Sequence, residues 1–176
     1  MDLPQSALLG AVLAPFAGAL AVVALRRHAN AREAASLVSA IATFLLAAAS
    51  LPAAFAGTPV RLAIVEDMLP GLSLGLAADG FGLLFASLAS FLWILTTVYS
   101  VGYMRGLKEH AQTRYFACFA LALATTVGVA FSANLFTLFV FYEGLTLVTY
   151  PLVGHKETAE ARAGAHDVDD HHRQPA

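Results

Sequence analysis

Charge is what this sequence has least of. Of its 176 residues, 12% are Asp, Glu, Lys or Arg and 59% are hydrophobic. A water-soluble domain carries about 25% charged residues, because its surface must be solvated. Most of that surface is missing, which excludes an ordinary globular domain. The net charge of −2 excludes the basic excess of a nucleic-acid binder. A single cysteine, Cys118, excludes an internal disulfide, and no CxxC pair or Cys/His spacing suited to a metal accompanies it. It sits in an apolar run and reads as a buried, inert thiol. GxGxxG, P-loop and Ser/His/Asp patterns are missing as well, so neither a cofactor nor a metal is expected and no catalytic residue is assigned. The first five residues contain Asp2 but no Lys or Arg. That removes the positive start of a signal peptide, and the following apolar run is too long for one, so it reads as a retained span.

What the sequence does contain is a succession of long apolar runs. The first extends from Ser6 to Leu25 and ends at Arg26, Arg27 and His28. A helix of about 20 residues, rising about 1.5 Å per residue, crosses a hydrocarbon core of about 30 Å. The second run covers Ala34 to Gly57, with Pro52 kinking or ending its last turns. Further runs cover Gly80 to Tyr103, Tyr115 to Ser132 and Asn134 to Gly154. The short Ser132-Ala133-Asn134 link makes the last two antiparallel neighbours. The stretch from Thr58 to Asp79 differs. It holds Glu66, Asp67 and the turn pair Pro70-Gly71, and Leu72, Leu74 and Leu76 alternate with small or polar residues. That pattern predicts a β-hairpin. The fold class expected is therefore an all-α integral membrane protein with five transmembrane helices and one hairpin-like extracytoplasmic loop. Its regions are helices 1 and 2 in 1–57, the loop in 58–79, helices 3 to 5 in 80–154 and a polar tail in 155–176.

The cations supply an orientation. Arg26, Arg27, Arg32, Arg105, Lys108, Arg114, Lys156, Arg162 and Arg173 fall on one side, and Arg61 alone on the other. The positive-inside rule then puts the N-terminus outside and the C-terminus in the cytoplasm of a multi-pass protein of the cell (inner) membrane.

Eleven of the twelve acidic residues occupy linkers, termini or the tail, and the exception is Glu143. It lies nine residues after Asn134 and eleven before Gly154, near the bilayer midplane. An acidic group there costs about 2.5 to 3.5 kcal/mol on insertion scales. A carboxyl in a low-dielectric site has a raised pKa, and a nearby cation lowers it again. A movable partner charge can thus load and unload a proton without any cofactor. The competing reading is a protonated glutamic acid that bonds a neighbouring helix. Thr146 and Tyr150 share the Glu143 helix face, and Ser87, Ser90 and Thr97 share a face of the third span, so these five hydroxyls are candidates to line a hydrated path. Gly102 to Gly106 matches GxxxG but lies at a membrane edge. His166, His171 and His172 with Asp167, Asp169 and Asp170 read as a mobile acidic tail and not as a metal site.

Two stretches carry a family resemblance. One is Ala78-Asp79-Gly80-Phe81-Gly82-Leu83-Leu84-Phe85 followed by Tyr99-Ser100-Val101-Gly102-Tyr103-Met104. The other is Arg114-Tyr115-Phe116, then Asn134-Leu135-Phe136-Thr137-Leu138-Phe139-Val140-Phe141-Tyr142-Glu143, Leu147 and Tyr150 to Gly154. Together they resemble the antiporter-like subunits of respiratory complex I and of Mrp-type cation/proton antiporters, over most of residues 70 to 165. The resemblance implies that Glu143 translocates protons in electrostatic coupling to a lysine on a later helix. It also implies inverted repeats of helices, with any NADH:quinone chemistry on other subunits. Expected partners are the lipid bilayer, other membrane subunits of a multisubunit complex, protons, and Na+ or K+. The later helices and the intramembrane lysine are not in this sequence. The expectation is therefore a truncated, frameshifted or split subunit whose partner charge comes from another chain. The alternatives are a non-transporting membrane scaffold and an inactive remnant.

Overall fold

In the computed structural model, residues 3–56, 60–69, 72–107 and 111–153 are described. The expected Pro70-Gly71 turn, the cations Lys108, Lys156, Arg162 and Arg173, and the tail 155–176 lie outside them. Five helices, each long and apolar enough to cross a membrane, follow one another: α1 (Leu3–Ala24), α2 (Ala29–Phe55), α3 (Gly80–Gly106), α4 (Gln112–Ala130) and α5 (Leu135–Val153). Between α2 and α3 the strands β1 (Val60–Leu69) and β2 (Leu72–Ala78) pair antiparallel. The hairpin predicted from the Leu72-Leu74-Leu76 alternation is present, with Leu62 opposite Leu76 and Val60 opposite Ala78.

Helix α1 packs on α2 and α4, α2 on α3, and α4 on α5. The hairpin lies at the end where α1 begins, α2 ends, α3 and α5 begin, and α4 ends. Val60, Leu76 and Ala78 are buried there with Leu8, Leu83, Val127 and Phe131. Asp79 caps α3, its Oδ1 accepting the Gly82 N–H at 2.7 Å. Gly82 faces α4: a Cβ on it would stand 2.6 Å from the Ala130 carbonyl oxygen.

The packing follows membrane rules. The face α2 buries is Ser36, Ser39, Ala40, Thr43, Ala47 and Ser50, while Val38, Ile41 and Leu45 point outward. Water would invert that distribution, whereas lipid solvates the large apolar side chains and lets small residues bring backbones close. Several buried hydroxyls are satisfied on their own helix: Ser39 donates to Ser36 O, Thr43 to Ser39 O and Ser50 to Leu46 O. On α1, Gly18 meets the Ser39 side chain of α2 with no room for a Cβ.

One expectation is corrected. The sequence put Arg32, Glu33, Arg105 and Arg114 in linkers and no cation inside any span. The helices run further than their apolar runs, so Arg32 and Glu33 lie in α2, Arg105 in α3 and Arg114 in α4. A helix extends through polar residues where side chains find partners, as Glu33 does with Arg105 and Arg32 does with Gln112 and Thr113.

Candidate functional site

The α4–α5 connection fixes the direction in which α5 presents its side chains. The Ala77 N–H donates to Phe131 O at 2.7 Å and the Ala133 N–H to Gly75 O at 3.0 Å, so this link runs along β2 like a third strand. Asn134 does two things at once. Its Oδ1 accepts the Thr137 N–H at 2.8 Å, capping α5, and its Nδ2 donates to Ser73 O at 2.7 Å. Thr137 is fully buried and its Oγ1 accepts the Gly75 N–H at 3.1 Å.

From this anchor α5 lies on α4. The Phe141 ring fills the place a Cβ would take on Gly128, and Gly144 faces Thr125. The opposite face is exposed, and Glu143 stands on it, nine residues into a helix of 19. Leu135, Phe139, Tyr142, Leu147 and Tyr150 are exposed with it. No described residue pairs with the Glu143 carboxylate. Thr146 is exposed beside it, but its Oγ1 donates to the Glu143 carbonyl oxygen at 2.8 Å.

Ser87, Ser90 and Thr97 are buried on α3. Ser90 Oγ donates to Ala86 O at 2.6 Å, whereas Ser87 Oγ and Thr97 Oγ1 have no partner among the described residues. Helix α4 lies between α3 and α5. The structure therefore groups Glu143, Thr146 and Tyr150 on one face and the three α3 hydroxyls in another place. It does not bring the two groups together within the described residues.

Sequence reasoning missed a polar cluster at the end opposite the hairpin. Glu33, 6% exposed, receives both Nε and Nη2 of Arg105, and Asn30 Oδ1 also accepts from Arg105. Arg32, equally buried, donates to Gln112 Oε1 at 2.7 Å and Thr113 Oγ1 at 3.0 Å. Its guanidinium lies 5.7 Å from the Phe116 ring centroid and 3.6 Å from Glu33. This cluster ties α2 to α3 and α4. The signal available was the Arg32-Glu33 dipeptide next to an apolar run, which a boundary drawn at Ala34 hid. Among the described residues no group of three or more His, Cys, Asp or Glu could hold a metal.

Several motif residues act as anchors. Asp79 and Asn134 cap helices, Gly82 allows a close approach, Phe116 packs under Arg32, and Tyr115 OH bonds Ser100 Oγ at 3.1 Å. Of the two acidic motif residues, Asp79 caps α3, whereas Glu143 has no such structural task among the described residues. Known proteins are similar to this sequence. The A/B component of a probable K+/H+ antiporter from Rhizobium meliloti (strain 1021) is 34% identical over 160 residues, which is 88% of this chain and 15% of that protein. The chain is a homologue of the antiporter-like membrane subunits. The chloroplastic NAD(P)H-quinone oxidoreductase subunit 5 of Chara vulgaris is 32% identical over 102 residues, 58% of this chain and 15% of that protein. The A1 component of a Na+/H+ antiporter from Staphylococcus aureus (strain JH9) is 33% identical over 84 residues, 47% of this chain and 10% of that protein. The chain thus spans about a seventh or less of the length of these relatives. No protein-family model matches it.

Proposed function

We propose that the chain forms part of a proton-translocating membrane subunit in a complex I-like or Mrp-type assembly, with Glu143 as its intramembrane proton carrier. The observation that carries this reading is the placement of Glu143. It stands halfway along an apolar helix, on the face turned away from the bundle. A carboxyl facing lipid there is expensive. Further protein covering the α5 face removes that cost and supplies the cation that moves the carboxyl between its protonated and charged forms. Thr146 and Tyr150 stand on the same face and belong to the carrier site. Ser87, Ser90 and Thr97 enter the proposal as lining of the bundle interior, apart from Glu143.

The orientation follows from charge. Arg26, Arg27, Arg32, Arg105 and Arg114 gather at the end away from the hairpin, which makes that end cytoplasmic and the hairpin extracytoplasmic. The membrane is the cell (inner) membrane, and the transported species are protons exchanged against or driven with Na+ or K+, or pumped at the expense of redox chemistry on other subunits. The test is proton movement in everted membrane vesicles, followed with a pH-sensitive dye, with and without the locus. Loss of proton movement on deletion, driven by NADH or by added Na+ or K+, is expected. Unchanged movement with the locus deleted contradicts the proposal.

A further inference from the structure

We propose that Thr137 is a positioning residue for Glu143: the bond it takes from β2 fixes the rotation of α5 and with it the direction of the carboxyl. This rests on the reading of Glu143 as a proton carrier.

The inference starts from Gly75. Its place in β2 is set by Ala63 of β1, which stands opposite it. Its own N–H and C=O both turn to the α5 segment. The carbonyl oxygen accepts the Ala133 N–H at 3.0 Å, just before the helix, and the N–H donates to Thr137 Oγ1 at 3.1 Å, in the first turn. One strand residue therefore grips the chain on both sides of the Asn134 cap. Thr137 is fully buried, and its branched Cβ leaves χ1 few choices. A bond to Oγ1 is thus nearly a bond to the helix backbone, and it resists rotation of α5 about its axis.

Phe141 and Gly144 follow Thr137 at four and seven residues, on the same helix face. There Phe141 fits against Gly128 and Gly144 against Thr125. Thr137 closes this stripe at the hairpin end. Glu143 lies six residues after Thr137, about a third of a turn round from the stripe, and it is exposed. Its direction is therefore set from the other side of its own helix. Its carboxyl stands about 5 to 6 Å from the axis, so a rotation of about 20° carries it about 2 Å. A misplacement of about 1 Å is enough to slow a transfer step severely. The titratable groups sharing the exposed face are Tyr142 and Tyr150. Strand β2 contains none, and Arg114, Tyr115 and Cys118 of α4 precede Thr125 by seven residues or more.

The test is proton transport by the assembled complex in everted vesicles, measured against pH, for Thr137→Val and Thr137→Ser. Valine keeps the shape and removes the acceptor, whereas serine keeps the acceptor. Per assembled complex, Thr137→Val should transport about tenfold more slowly and move the pH midpoint by about half a pH unit, because Glu143 then sits differently against its partner charge. Thr137→Ser should restore both, and Gly102→Ala, in open space, should change neither. A loss in the amount of complex with the midpoint in place means a merely structural Thr137 and overturns the proposal. So does wild-type transport by Thr137→Val. Where Thr137→Val does not assemble, Gly128→Ala displaces the same stripe through Phe141, and an unmoved midpoint in that variant overturns the proposal. Glu143→Gln separates the two readings. Wild-type transport by it removes the carrier and the positioning role together, whereas an inactive Glu143→Gln beside a normal Thr137→Val removes the positioning role alone.

Discussion

Glu33 and Arg105, 72 residues apart in sequence, meet in a two-pronged ion pair that ties the start of α2 to the end of α3. Glu33 also stands against Arg32, whose other donors reach α4. One carboxylate thus offsets two guanidinium groups and links three helices. Removing it should do more harm than removing either arginine's reach. Glu33→Ala leaves Arg32 buried without a counter-charge, which costs about 3 kcal/mol for a pair of this kind. Arg105→Met, on the half-exposed arm, should lower the melting temperature by less. Thermal unfolding in detergent, followed by circular dichroism, orders the two variants.

The α4–α5 contact rests on an absent side chain. Phe141 occupies the space of a Cβ on Gly128. Gly128→Ala should therefore push the ring aside and cost about 1 to 3 kcal/mol through overpacking. Gly102→Ala, at a glycine with open space around it, should be neutral or slightly stabilising through helix propensity. Melting temperatures of the two variants, compared with wild type, decide this.

Asn134 anchors the start of α5 to β2. Asn134→Ala removes the α5 cap and the bond to Ser73 O, with a cost of about 1 kcal/mol for the cap. Protection of the Thr137 amide should fall in hydrogen–deuterium exchange, and that of mid-helix amides in α1 should not. Equal loss in both helices would contradict a local role.

Much of this was legible in the sequence, for physical reasons. Lipid demands long apolar runs, so all five helices announced themselves. The Leu72-Leu74-Leu76 alternation announced the hairpin, and the cost of an acid at mid-span singled out Glu143. Other features were hidden. Arg32 and Glu33 looked like linker residues because hydropathy falls wherever charges occur, whether or not partners satisfy them. Their partners, Arg105, Gln112 and Thr113, come from other helices and leave no local pattern. The division between the α3 hydroxyls and Glu143 was hidden too. Helical spacing places residues on a face but does not say which helix that face meets, and α4 comes between.

The most direct measurement is proton translocation by the assembled complex carrying Glu143→Gln, with Glu143→Asp beside it. Glutamine keeps the size and hydrogen-bonding capacity of the side chain and removes its titration. The account predicts an assembled complex with coupled proton transport lost in the Gln variant and partly retained in the Asp variant. Wild-type transport by Glu143→Gln would contradict it and leave Glu143 a packing residue.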